Sequence, residues 1–282
     1  MGALDGKVAF VTGIARGQGR SHAVTLAAAG ADIIGVDICK DLDSPHYPMA
    51  TQEDLAETGR MIEQFDRRAI LRQADVRDLD QLTAAVDEGV AELGRLDIVV
   101  ANAGIFSMGA ALDLTEATFQ EMIDINLTGV WRTVKAAVPH IRAGGRGGSV
   151  VLTSSSAAAL MPPPGIAHYS AAKAGVIKLM ETLALELGPE FIRVNALGPG
   201  NVDTPMIDNE TTRRLFMPHL ENPTKADAEQ PGSAYVQVNA IPVPWVEPSD
   251  ISKVVLFLAS DDSRYLTGVT VPIDAGYRLK KA

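Results

Sequence analysis

"KVAFVTGIARGQG", residues 7–19, decides the fold. Its first half is a continuous apolar run, the pattern of a strand buried on both faces in a parallel sheet. Its second half sets Gly13, Gly17 and Gly19 where that strand hands over to a helix. Glycines there let the backbone turn sharply and approach a pyrophosphate, which would rest on the amides and positive dipole end of the helix, with Arg16 and Gln18 in the same turn. The spacing is G-x-x-x-G-x-G rather than G-x-G-x-x-G, and no lysine precedes a Ser or Thr at its end, so neither the dinucleotide fingerprint nor a Walker A loop is present.

The same alternation continues outward. Residues 7–12, 32–37, 69–75, 97–102, 149–154, 192–197 and 269–274 read as strands, and 18–29, 51–66, 79–93, 115–142, 167–187 and 249–259 carry helical periodicity. Strand and helix in turn imply an α/β fold, a Rossmann-type doubly wound parallel sheet of about seven strands, as a single domain over 1–282. Two stretches break the rhythm: a polar, proline-bearing insertion at about 39–54 and a proline-rich excursion at about 201–248, expected to be a substrate lid.

Composition excludes several classes. The net charge of −10, with no basic stripe, argues against nucleic acid or an anionic membrane as partner. The one cysteine, Cys39, excludes a disulfide framework and a Cys-rich metal site, and no H-E-x-x-H or H-x-x-x-H pair occurs, so no metal is expected. No apolar run reaches membrane-spanning length, and "MGALDGKVAF" has no basic segment followed by an apolar one, so a cytoplasmic location is expected.

Carboxyl ends of parallel strands are where open α/β sheets bind ligands. Asp37 closes the second strand, placed to accept hydrogen bonds from ribose hydroxyls and to repel a 2′-phosphate. Arg16 is the competing signal, since it could attract that phosphate; the carboxylate is the more direct determinant, and NAD is expected rather than NADP. Asp75 and Val76 fall where an adenine edge would lie, and Asn102, Ala103 and Gly104 end the fourth strand with small residues.

In "AHYSAAKAGV", 167–176, Tyr169 and Lys173 lie one helical turn apart on one face. A neighbouring ammonium would lower a phenol's pKa from about 10 toward neutrality. His168 points about 100° away from Tyr169 and is expected to pack or to face an interface.

Together, "TGIARGQG", "ANAG" (101–104), "INLTG" (125–129), a serine cluster before Tyr169, "YSAAK" and "NALGPGNVDTPM" (195–206) resemble the short-chain dehydrogenase/reductase family over essentially the whole chain. The resemblance implies a catalytic tetrad of Asn126, Ser156, Tyr169 and Lys173. Tyr169 would exchange a proton with an alcohol or carbonyl oxygen. Lys173 would favour the phenolate and bond the nicotinamide ribose, Ser156 would bond the substrate oxygen, and Asn126 would hold a water on the proton path. Ser154 and Ser155 compete with Ser156, which a spacing of 13 residues favours. Pro199, Gly200, Val202 and Thr204 match the stretch that frames the nicotinamide.

The insertion after the second strand also resembles the mycofactocin-associated branch, which includes carveol dehydrogenases. That implies an NAD covered by the insertion and an external redox carrier that reoxidises it. The expected activity is interconversion of a hydrophobic secondary alcohol and its ketone by a homotetramer. Alternatives are a 3-oxoacyl or hydroxysteroid-type reductase with exchangeable cofactor, an NAD-using epimerase, and a nucleotide-binding regulator without turnover. Within 201–248, Met206, Ile207, Leu215, Phe216, Met217, Tyr235, Val236 and Trp245 are expected to line an apolar pocket or to pack the lid down.

Overall fold

A computed structural model describes residues 2–158 and 164–280. Seven parallel strands, β1 (Val8–Thr12), β2 (Asp32–Asp37), β3 (Ala69–Gln73), β4 (Ile98–Ala101), β5 (Gly148–Thr153), β6 (Ile192–Pro199) and β7 (Thr270–Ile273), form one sheet in the order β3-β2-β1-β4-β5-β6-β7. The order reverses between β1 and β4, and a crevice opens at that point beyond the carboxyl ends of the strands.

The continuous apolar strands have the cause anticipated from sequence: both faces are covered. Val8 and Phe10 point into one core with α3 (Leu79–Leu93), α5 (Gly129–Gly144) and α6 (Ala167–Leu187). Ala9 and Val11 point into the other, with α1 (Gly17–Ala28), α2 (Gln52–Glu63) and α10 (Pro248–Ala259). Local chemistry sets the helix ends. The Thr51 and Asp54 side chains form a capping box on α2, Asp78 caps α3 through the amides of Asp80 and Gln81, and Gly94 ends α3 in the left-handed conformation.

Two regions differ from the sequence expectation. The segment expected as one helix over 115–142 is α4 (Glu116–Ile123), a π turn at Asp124–Thr128 and then α5. Helical periodicity does not register the one extra residue that such a turn inserts, and π turns gather at functional sites. The excursion at 201–248 is not an irregular loop: it holds α7 (Glu210–Phe216), α8 (Lys225–Ala228) and α9 (Ala234–Gln237) around a core of its own. Met217, Tyr235 and Trp245 are buried there, with Tyr235 stacked on Phe216 at 4.3 Å and edge-on to Trp245 at 5.7 Å. These side chains pack the lid, Met206 faces the cavity, and Ile207 both lines the cavity and packs against the lid core.

Candidate active site

A cleft runs along the crevice in two connected compartments that share Gln18, Asn102, Gly104, Ile105, Thr204 and Met206. The first begins at the turn after β1. Gly13 N donates to Val36 O at 2.8 Å, and Thr12 Oγ1 accepts from the amides of Asn102 and Ala103, both at 3.1 Å, so the ends of β1 and β4 are tied together. The turn fits the backbone of a dinucleotide. A Cβ on Gly19 would strike the Gly13 carbonyl, one on Gly13 would lie 2.9 Å from Ala103 Cα, and Gly17 has φ +54°. α1 begins at Gly17 without a side-chain cap, and among the described residues the buried Gln18 Oε1 has no partner, which leaves free polar groups facing the cleft.

Asp37 sits at the far end of this compartment, 7% exposed, accepting from Ala15 N at 3.0 Å and Cys39 N at 3.2 Å. Burial raises its carboxyl pKa, opposed by those amides and by the Arg16 guanidinium. Arg16 itself is engaged by the insertion: it donates to the Pro48 carbonyl and lies 5.9 Å from the centre of the Tyr47 ring. The insertion folds over this compartment with Leu42, Tyr47, Met49 and Ala50 lining it. β3 ends at Gln73, so Asp75 and Val76 stand in the loop beyond it, still on the cleft, with Asp75 paired to Arg77 at 2.6 Å. Burial, with Asp37 and Asp54 nearby, pushes the Cys39 thiol up to about 12, which removes it as a nucleophile at neutral pH.

The second compartment gathers Asn126, Ser154, Ser155, Tyr169 and Lys173 under Pro199, Gly200, Val202, Thr204 and Ile207. Tyr169 and Lys173 come from successive turns of α6, with Lys173 Nζ 5.9 Å from the phenol ring centre and donating to Thr153 O at 2.8 Å. Ser154 Oγ donates to Lys173 O at 2.8 Å and fastens α6 to the end of β5. Gly104 is glycine for a reason of space: a Cβ would come within 2.6 Å of Asn126 Oδ1 and 3.4 Å of Lys173 Nζ. Asn126 lies in the π turn, fully buried, with its amide closed on the main chain of Ile105. That side chain therefore orders the loop after β4, rather than presenting a free amide to a water.

Two sequence expectations change here. The serine beside the phenol is Ser155, not Ser156: Ser155 lines the compartment and pulls the Tyr169 pKa down, while Ser156 opens the 3₁₀ turn Ser156–Ala158. A residue count along an irregular segment is no ruler for where a side chain points. Secondly, the Tyr169 pKa is raised, not lowered, because burial outweighs Ser155, and the same burial pushes Lys173 down to about 8. The lysine head donates to the Thr153 carbonyl and stands 5.9 Å from the centre of the phenol ring.

Sequence reasoning missed Tyr47 and Phe106. Phe106 packs edge-on against Tyr169, with centroids 5.0 Å apart and planes at 90°. A tyrosine inside the insertion was the one available signal. His168 is buried, as its position beside Tyr169 suggested, and its Nε2 meets Ser107 Oγ at 3.0 Å.

The chain as a whole matches known proteins. A family profile described as enoyl-(acyl carrier protein) reductase matches residues 13–278. (−)-trans-Carveol dehydrogenase of Rhodococcus erythropolis is 56% identical over 99% of this chain and 100% of that protein. Trans-4-hydroxycyclohexanecarboxylate dehydrogenase of Sinomonas cyclohexanicum is 38% identical over 96% of this chain and 92% of its own. The crystal structure of carveol dehydrogenase from Mycobacterium avium in complex with NAD superposes with a TM-score of 0.96 at 55% identity, covering 99% of this chain and 100% of that one. The chain belongs to the short-chain dehydrogenase/reductase family.

Proposed function

We propose that this protein is an NAD(H)-dependent alcohol dehydrogenase that interconverts a hydrophobic cyclic secondary alcohol and its ketone. The observation that carries the reading is the placement of Tyr169 and Lys173 in one compartment of a cleft whose other end is the Asp37 carboxylate. Asp37 disfavours a 2′-phosphate, and Arg16, held by Pro48 and Tyr47, is not free to attract one. Bound NAD supplies the hydride acceptor. The protein manages the proton: in the oxidative direction Tyr169 takes it from the alcohol, Ser155 donates to the same oxygen, and Lys173 favours the phenolate. Asn126 holds the loop that closes this compartment.

Substrate class follows from lining and likeness. Ile105, Met206 and Ile207 give the catalytic end apolar walls, with the Phe106 ring packed edge-on to Tyr169, and the substrates named for the two relatives, carveol and 4-hydroxycyclohexanecarboxylate, are both ring-borne secondary alcohols. The insertion over the adenosine end supports a tightly retained NAD, reoxidised in place by a mycofactocin-like external carrier. The exposed Trp131 on α5 and Leu185 on α6 support subunit contacts through those helices and a homotetramer. Among the described residues no helix is long and apolar enough to cross a membrane, and the unpaired Cys39 suits the cytoplasm.

The test begins with protein purified and dialysed without added nucleotide, then denatured and its supernatant assayed for NAD(H). Near-stoichiometric NAD, with oxidation of carveol-like alcohols by an artificial electron acceptor, is the expected result. NADP in the supernatant, or no oxidation of any cyclic alcohol with bound or free NAD, would overturn the reading.

A further inference from the structure

Residues 102–110, between β4 and α4, carry no regular structure, so their shape rests on the few bonds that reach them. Thr12 accepts from the amides of Asn102 and Ala103, Asn126 holds Ile105, His168 meets Ser107, and Gly109 N donates to Gly165 O at 2.9 Å. One more bond arrives from the insertion: Phe106 N donates to Tyr47 Oη at 3.0 Å. Tyr47 is 8% exposed and backed by the Arg16 guanidinium. Phe106 therefore carries two contacts of different origin. Its amide is held by the flap, and its ring stands edge-on to the catalytic tyrosine.

We infer that Tyr47 is a positioning residue whose hydroxyl, by holding the Phe106 amide, couples closure of the flap to the placement of the Tyr169 phenol. The inference rests on the reading of the insertion as the cover of the cofactor and extends it to the chemistry. The bond and the ring belong to one residue, so lifting Tyr47 leaves the Phe106 N–H without its partner and frees the backbone dihedrals that aim the ring. An aromatic pair is attractive only within a narrow range of edge-to-face geometry, and a displaced Phe106 lets water reach the phenol. The proton acceptor is thus in its catalytic setting only while the flap is shut over the nucleotide. The titratable groups facing the phenol are Lys173 from α6 and Tyr47 from the flap.

Two variants separate the parts of the coupling. Tyr47→Phe keeps the flap's ring and removes only its hydroxyl. It is expected to speed nucleotide release, read with the reduced form NADH as loss of bound-nucleotide fluorescence on dilution, by about tenfold. It is also expected to lower kcat at saturating NAD by a similar factor and to move the acid limb of the kcat–pH profile downward as water reaches Tyr169. Phe106→Leu keeps the main-chain bond to Tyr47; it is expected to reproduce the change in kcat and pH profile while leaving NAD release unchanged. Faster release in Tyr47→Phe with kcat and pH profile unmoved would overturn the coupling, as would no change in either. Rapid NAD release from the unmodified protein would instead refute the retained-cofactor reading, and the kcat and pH comparison at saturating NAD would still decide the coupling.

Discussion

Asn126 closes on Ile105 from both ends of its side chain: Oδ1 accepts from Ile105 N at 3.0 Å and Nδ2 donates to Ile105 O at 2.8 Å. The pair binds the π turn between α4 and α5 to the loop leaving β4, and so joins two walls of the catalytic compartment. Asn126→Ala leaves two main-chain groups of Ile105 without partners beside a fully buried site. At about 1–3 kcal/mol for each buried group left unsatisfied, a loss of roughly 3 kcal/mol is expected, seen as a melting temperature lower by about 5–10 °C. Turnover should fall with it, because Phe106 is the next residue along. A variant with wild-type melting temperature and rate would show that the loop is held by other means.

Ser155 and Ser156 give the sharpest contrast between neighbours. Ser155 lines the compartment against Tyr169, while Ser156 begins a 3₁₀ turn. Removing a donor to a developing oxyanion costs about 10²–10³ in kcat. Ser155→Ala should show that loss, and Ser156→Ala should stay within a few-fold of the unmodified enzyme. Steady-state rates on one cyclic alcohol decide it, and the reverse ranking would restore the assignment that counting along the chain suggested.

This contrast marks where sequence stops being informative. Strands such as Val8–Thr12 and the glycine turn after it were legible because burial on both faces and close backbone approach each leave a residue-type signature. Tyr169 and Lys173 were legible because a helix converts a spacing of four into one face. The choice among three adjacent serines depends on one turn of irregular chain, and the π turn at Asp124–Thr128 on one inserted residue; neither changes a periodicity. The bond from Tyr47 to Phe106 joins an insertion to a loop 59 residues away, and no local pattern encodes such a meeting.

Lys173 has a consequence for stability against pH. Its pKa is about 8 in the fold and 10.5 in the reference state, so between these values the unfolded chain holds the proton that the native protein has released. Stability contributed at this site therefore rises with pH from 8 to 10.5, and below 8 the fold carries the cost of a buried ammonium. That cost is on the order of 3 kcal/mol at 1.36 kcal/mol per pH unit. Lys173→Met removes the charge at similar length. Its urea-unfolding free energy should lack the alkaline rise, and at pH 7 it should equal or exceed the unmodified protein, while turnover drops by at least about 10². A parallel pH dependence in both proteins would place the titration elsewhere.

Tyr235 tests whether the lid is a folded unit. It is fully buried between Phe216 and Trp245, and its hydroxyl donates to the carbonyl of Ile207, a wall of the catalytic compartment, at 3.5 Å. Truncating a buried aromatic to Ala costs about 3–5 kcal/mol, and this core is small enough for such a loss to melt the lid locally while the sheet persists. Tyr235→Ala should raise KM for the alcohol severalfold or more, through Met206 and Ile207, and expose the lid to protease. NAD binding at the Asp37 end should change little. Equal losses of NAD and alcohol binding would mean that the lid and the nucleotide site unfold together.

Asp37 carries the choice of nucleotide, and its geometry separates that choice from its structural work. Both carboxylate oxygens are engaged, Oδ2 by Ala15 N and Oδ1 by Cys39 N, so the side chain is fixed where a ribose would meet it. Asp37→Ser removes the charge that repels a 2′-phosphate and keeps a hydroxyl for one of the amides. The ratio of NAD to NADP affinity should fall by about tenfold or more, an energy of roughly 1.4 kcal/mol. Arg16 will not reverse the preference by itself, because the flap holds its guanidinium through Pro48 and Tyr47. Adding Tyr47→Phe to Asp37→Ser, which loosens that flap, should shift the ratio further toward NADP. Fluorescence titration of the apoprotein with each nucleotide reads both steps, and an unchanged ratio in Asp37→Ser would move the determinant away from β2.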